Sequence, residues 1–147
     1  MKPYEIIEGD WLFSDDKQRL DRTFIHDFLC GRSYWAQGIP IQTVNRSIEN
    51  SLCFGVYQAG RQVGFARVVT DAATFAWLAD VFITEEQRGA GLGKKLVAAI
   101  LAHPQLQGLR RMMLRTEDAH GLYRQLGFDA VKQVERFMEI HRPNPYK

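Results

Sequence analysis

Cysteine is scarce in this chain. Cys30 and Cys53 are the only two among 147 residues, and they form no metal-binding or redox spacing. Both sit among apolar neighbours, so buried free thiols are expected and no metal site is. Long apolar runs are missing as well: none approaches the ~20 residues a bilayer requires. The first ten residues, Met-Lys-Pro-Tyr-Glu-Ile-Ile-Glu-Gly-Asp, lack the apolar core of a signal peptide. Excess charge is absent too. A formal net charge of +2 argues against nucleic acid or an acidic membrane as partner. No internal repeat, linker or low-complexity segment interrupts the chain. What remains is a length sufficient for one domain, residues 1–147, with a substantial core. At 46% hydrophobic and 24% charged residues, the composition fits a soluble, cytoplasmic enzyme.

Glycine is concentrated in one place. Residues 85–95 read Glu-Glu-Gln-Arg-Gly-Ala-Gly-Leu-Gly-Lys-Lys. An apolar run, residues 75–83, leads in, and an apolar-periodic run, residues 92–101, leads out. The pattern predicts strand, tight turn, helix. Gly89, Gly91 and Gly93 let the backbone turn sharply and approach a ligand without a Cβ in the way. The first N–H groups of a helix lack internal partners, and its dipole is positive there. Such a turn suits a phosphate or pyrophosphate, with Lys94 and Lys95 adding charge.

Three motifs compete for these glycines. A P-loop requires four residues between its first glycine and Gly-Lys, then Ser or Thr. Here Gly89 and Gly93 are separated by three residues, and Lys95 follows Lys94. The dinucleotide fingerprint requires Gly-x-Gly-x-x-Gly, whereas the third glycine comes one residue early. The pattern Arg/Gln-x-x-Gly-x-Gly/Ala is met by Arg88, Gly91 and Gly93. It resembles the coenzyme A pyrophosphate loop of the GNAT (GCN5-related) N-acetyltransferases. Further on, residues 118–128 read Asp-Ala-His-Gly-Leu-Tyr-Arg-Gln-Leu-Gly-Phe. This resembles the later motif of that family, a helix whose tyrosine, here Tyr123, is closely followed by Gly-Phe. The resemblance covers about residues 55–138.

Residues 4–8 are a strand candidate and residues 9–16 a turn. Asp15 or Asp16 can cap a helix from near Lys17, with Leu20, Phe24, Ile25 and Phe28 on one face and Gly31 ending it. Pro40 suits the first turn of a second helix, residues 41–50. Strands are expected over 53–58, 62–70 and 74–83, the first two joined by a hairpin turn. A helix over 92–102, a strand over 110–114, a helix over 118–126 and a last strand over 134–140 follow. Residues 141–147 read as a frayed tail. This order gives a single-domain α+β fold around one sheet flanked by helices. The resemblance implies a mixed, mostly antiparallel GNAT-like sheet splayed between its fourth and fifth strands, with the cofactor in the opening.

The resemblance implies acetyl-CoA as cofactor. Its pyrophosphate would meet Arg88, Gly89, Ala90, Gly91, Leu92, Gly93 and Lys94. Its pantetheine arm would pair with the main chain of Val81, Phe82 and Ile83 like an added strand. Tyr123 matches the tyrosine that lies near the cofactor sulfur and acts as the acid. Two departures stand out. Thr116 occupies a position where the family often has a cofactor-binding Asn. Ala90 stands where a basic residue is common. Tyr34 and Trp35 fall in the connection that lines the acceptor pocket in that fold.

Two residues compete as the base. Asp80 is an acid inside an otherwise apolar strand, a position that requires a partner, and Arg67 on the neighbouring strand is the candidate. His120 lies three residues before Tyr123, so the two can share a helical face. Asp118 reads as a helix cap. The expected function is transfer of an acetyl group from acetyl-CoA to a primary amine, on a small molecule, by direct attack in a ternary complex. The alternatives are a non-catalytic acyl-CoA-binding regulatory module and a protein or peptide N-acetyltransferase. A homodimer is common in the fold resembled. Arg67, Tyr34 and Trp35 are the acceptor-binding candidates.

Overall fold

A computed structural model describes residues 2–146. Its centre is a six-stranded sheet in the order β1-β2-β3-β4-β5-β6. The strands are β1 (Glu5–Glu8), β2 (Trp11–Ser14), β3 (Leu52–Gln58), β4 (Arg61–Thr70), β5 (Phe75–Ile83) and β6 (Arg111–Leu114). Neighbours pair antiparallel up to β5, and β6 joins β5 in parallel. The helices are α1 (Arg22–Gly31), α2 (Ile41–Glu49), α3 (Leu92–Leu101) and α4 (His120–Arg124). This is the α+β architecture expected. Among the described residues, no helix is long and apolar enough to cross a membrane.

The two faces of the sheet carry separate cores. On one, Phe54, Val56, Val68, Ala76 and Leu78 meet Leu92, Leu96, Val97 and Ile100 of α3. On the other, Cys53, Phe65 and Phe82 meet Ile25, Phe28 and Leu29 of α1 and Val44 and Ile48 of α2. Phe28 and Phe82 stack face to face, centroids 3.8 Å apart and planes 4° from parallel. Cys53 is buried and Cys30 half-buried, both as free thiols.

Several sequence-based expectations are corrected. The turn expected over residues 9–16 contains a strand. Gly9, at φ 60°, closes a two-residue turn, so Trp11–Ser14 folds back on β1 and also pairs with β3. The first helix starts later than expected. Asp16 caps a short 3-10 turn, Lys17–Arg19, and Asp21 caps α1 through the Phe24 amide. The fourth helix is only His120–Arg124, and Asp118 does not cap it; the Ala119 amide donates to the Thr116 hydroxyl instead, at 3.1 Å. The last expected strand, residues 134–140, is absent. Its place is taken by a 3-10 turn at Val134–Arg136 and exposed chain without regular structure. Apolar alternation alone does not form a strand that has no neighbour to pair with.

The N-terminal hairpin is fastened to α3. The Gln105 amide donates to His103 Nδ1, so Nε2 carries the proton and donates to Asp15 at 2.8 Å. The Tyr4 hydroxyl donates to the Ala99 carbonyl at 2.9 Å. Lys95 pairs with Glu8 at 3.5 Å and so leaves the glycine turn, contrary to expectation. These ties hold α3 against the sheet and fix the direction of its N-terminus.

Phe28→Ala should remove the stack on Phe82 and lower unfolding stability by about 3–5 kcal/mol, the usual cost of a buried Phe truncation. Urea denaturation checks this. A loss under 1 kcal/mol would mean that the stack does not anchor α1.

Candidate functional site

The sheet opens between β5 and β6. These strands pair from Phe75↔Arg111 to Leu78↔Leu114 and then separate. Past Leu78, the β5 edge from Ala79 to Ile83 has no partner in β6, so its outward N–H and C=O groups face the gap. An unpaired edge of this kind accepts an extended ligand as an added strand. The opening lies between the fourth and fifth strands counted without the unexpected β2, where the resemblance located it.

A bulge shapes the lip. Arg67 pairs with Ala79 and Phe65 with Phe82, so Ala66 faces two residues, Asp80 and Val81. Asp80 takes φ 54°, a left-handed conformation that Asp tolerates better than most residues. The extra residue changes the alternation. Phe82 therefore points to the α1 side, while Val81 and Ile83 pack on the α3 side.

The Asp80 carboxylate is engaged at both oxygens. Arg67 Nε donates to one at 2.9 Å, and Trp35 Nε1 donates to the other at 2.8 Å. Arg67 also donates to the Ser51 hydroxyl at 3.1 Å. Arg67 is thus the partner the sequence suggested, and Trp35 is one it did not. Tyr34, next in the same loop, reaches the other lip: the Glu117 amide donates to its hydroxyl at 2.9 Å. The Tyr34 and Trp35 rings meet edge to face at 5.0 Å. The loop between α1 and α2 therefore touches both sides of the gap.

Tyr123 lies on α4 beyond the β6 lip. It is buried, with its ring edge to face against Phe128 at 5.6 Å. Burial raises its pKa, and the nearby Tyr34 and Asp118 raise it further. The phenol keeps its proton through neutral pH. His120, the first residue of α4, is exposed. Among the described residues, no hydrogen bond or ion pair joins it to Tyr123 or Asp80, so the shared face expected for His120 and Tyr123 does not bring both inward. The Thr116 oxygen is used by the Ala119 amide.

The glycine turn runs from a 3-10 turn, Glu85–Gln87, into α3. Gly89 and Gly91 take φ 94° and 73°. A Cβ on either would meet nothing within 4 Å, so the turn is open to solvent. Among the described residues, no side chain caps α3, and the amides of Leu92, Gly93 and Lys94 are left for an external acceptor. Arg88, Ala90 and Lys94 are exposed around them. An uncapped helix N-terminus over an open glycine turn, with a free strand edge leading to it, fits a pyrophosphate and an extended arm. The chemistry of this donor set suits acyl-CoA.

Comparison with known proteins points the same way. Residues 49–130 match the family model described as an acetyltransferase (GNAT) domain. A Gibberella zeae protein named as an acetyltransferase is 32% identical over 90% of each chain. A crystal structure from Xanthomonas campestris, described as a GNAT-family protein, is 48% identical and superposes with a TM-score of 0.91, covering 92% of this chain and 96% of that one. The L-methionine sulfoximine/L-methionine sulfone acetyltransferase of Pseudomonas aeruginosa is 29% identical over 72% of this chain and 63% of its own.

Asp80→Asn and Asp80→Ala both remove the ion pair with Arg67, but only Asn keeps a residue suited to the left-handed conformation and an acceptor for Trp35. Asp80→Ala should be the less stable of the two by about 1–2 kcal/mol, read from paired urea titrations. Equal stabilities would mean the bulge does not depend on this side chain.

Proposed function

This chain belongs to the GNAT acetyltransferase family, and from that premise we propose that it is an acetyl-CoA-dependent N-acetyltransferase acting on a primary amine of a small molecule. The observation that carries this reading is the gap itself. A free β5 edge leads through the glycine turn to an uncapped α3 N-terminus, and a buried protonated tyrosine lies on the helix after β6. The small-molecule class draws support from the Pseudomonas relative, whose name gives two amino-acid derivatives as its substrates.

When bound, acetyl-CoA supplies an activated acetyl thioester. The amides of Leu92, Gly93 and Lys94, with Gly89, Ala90, Gly91 and the Arg88 side chain, would hold its pyrophosphate. The main chain of Val81, Phe82 and Ile83 would hold the pantetheine arm. A backbone N–H beside the bulge, near Val81, would face the acetyl oxygen and stabilise negative charge there. Tyr34, Trp35 and Arg67 shape the acceptor pocket, and Asp80 presents a carboxylate edge to the incoming ammonium. Asp80 is a positioning residue in this scheme, because two donors already occupy it. The amine loses its proton to water or to His120 before attack.

Tyr123 would supply a protonated phenol to the cofactor sulfur. A thiol titrates near ~8.5, below even an unshifted phenol. Complete proton transfer to such a sulfur would be uphill, so the Tyr123 phenol would act as a hydrogen-bond donor to it. A module that only bound acyl-CoA would have no use for such a donor, so the non-catalytic reading has less support.

Gly91→Glu should abolish acetyl-CoA binding, because it puts a carboxylate at the pyrophosphate site and a Cβ on a left-handed residue. Calorimetry on variant protein with an unchanged circular-dichroism spectrum checks this; retained affinity would remove the glycine turn from the site. Tyr123→Phe should lower kcat roughly 10²-fold with acetyl-CoA affinity unchanged, measured as thiol release over a panel of amines. An undiminished kcat would leave Tyr123 a packing residue.

A further inference from the structure

The sheet face under α1 and α2 is only partly covered by them. Residues 65, 67 and 69 of β4 alternate onto this face. Phe65 is packed beneath the helices, Arg67 reaches Asp80 and Ser51, and Val69 is 43% exposed. The register carries the face across the next two strands. Val69 stands beside Trp77, Trp77 beside Met113, and Phe75 beside Arg111. The residues that alternate with them, Val68, Ala76, Leu78 and Met112, belong to the α3 core. Val69, Phe75, Trp77 and Met113 therefore make an apolar floor beyond the edge of the helices. Phe75 is 38% exposed, and Trp77 and Met113 are half-buried.

The floor leads to the gap. Asp80 follows Trp77 by three residues along β5, about 10 Å at ~3.3 Å per residue. Its bonds to Arg67 and Trp35 put its carboxylate on this same face. Beside it stand Trp35 and Tyr34, each tied by its polar tip, Trp35 to Asp80 and Tyr34 to the Glu117 amide. The two rings are held in place yet remain exposed. Rigid aromatic rings give large contact area at little entropic cost. Asp80 is also the only carboxylate in β4, β5 and β6. A polyamine or an amino sugar brings many donors and needs many acceptors. This surface offers one anion in an aromatic and aliphatic setting, the usual make-up of a site that orients an apolar ligand by one polar group.

We propose that the acceptor is an arylalkylamine, an inference that rests on the acetyl-transfer reading above. Its single primary amine stands at Asp80, and its aromatic body lies on Trp77 and Val69, with Trp35 as the side wall. The ~10 Å from Asp80 to Trp77 along the strand, shortened by both side chains reaching inward, suits an amine joined to a ring by a short carbon chain. The pantetheine arm and the acceptor then occupy opposite halves of β5, residues 81–83 and 75–80, and meet at the bulge. Trp77 is the specificity-determining residue.

The test compares kcat/KM at saturating acetyl-CoA for phenethylamine and tryptamine against propylamine, glucosamine and methionine sulfone. The two aryl amines should be better by about 10-fold or more, the effect of burying one ring. Trp77→Leu should lower this preference about 10-fold, and Trp77→Phe should keep most of it. A structural defect would lower all the acceptors alike and leave the ratio unchanged. Equal values for propylamine, a preference for the sugar or the sulfone, or a preference untouched by Trp77→Leu would overturn the proposal. A binding readout separates this failure from failure of acetyl transfer itself. Trp11→Phe leaves Trp35 and Trp77 as the only indoles. Phenethylamine, titrated with coenzyme A present, should shift their fluorescence saturably, whereas propylamine at the same concentration should not. If phenethylamine shifts the emission but no amine is acetylated, the acetyl-transfer reading fails and the ligand class stands. An emission unchanged by phenethylamine would overturn the ligand class whatever the turnover.

Discussion

The Asp80 carboxylate ties β4, β5 and the α1–α2 loop together. It sits on a left-handed residue in the middle of β5, takes one hydrogen bond from Arg67 of β4 and another from Trp35 of the α1–α2 loop. A carboxylate in an apolar strand is costly unless paired. Here the pairing is also what holds the bulge. The bulge turns Phe82 into the α1 core, where it stacks on Phe28. Together with the early end of the β5–β6 ladder at Leu78, it gives the sheet an open edge inside an otherwise packed fold. One charged side chain thus couples strand register, loop position and core packing.

Function follows from what that edge adjoins. The glycine turn leaves α3 uncapped at one end of the gap, and the N-terminal hairpin holds α3 in place through His103–Asp15 and Lys95–Glu8. Tyr123 stands beyond the other lip, buried and protonated. The α1–α2 loop spans the gap, with Trp35 on the β5 lip and Tyr34 on the β6–α4 lip. The proposed chemistry requires little more from side chains than this: backbone amides for the pyrophosphate and the acetyl oxygen, one donor for sulfur, and a shaped, polar-edged pocket for the amine.

Much of this was legible in the sequence, because it depends on local chemistry. Gly89 and Gly91 announced a tight turn before a helix, and both take positive φ. Asp80 inside an apolar run implied a cationic partner, and Arg67 is that partner. The missed features have tertiary causes. Trp11–Ser14 is a strand because β1 and β3 flank it, and Gly9-Asp10 gave the only hint of a hairpin. The bulge at Asp80 leaves no mark in sequence, since no glycine signals it. Trp35 reaches Asp80 because α1 and α2 fold over the sheet, a contact separated by 45 residues in the chain. Residues 134–140 have a strand-like pattern but form no strand, as pairing depends on a neighbour that sequence periodicity does not supply.

Amide hydrogen exchange with and without acetyl-CoA tests the central claim, that the gap beside β5 is the acyl-CoA site. The β5 amides that face the gap, among residues 79–83, and the first-turn amides of α3 at Leu92, Gly93 and Lys94 should slow together when acetyl-CoA is added, while β1–β3 exchange unchanged. Protection confined to other elements, or none at saturating acetyl-CoA, would contradict it.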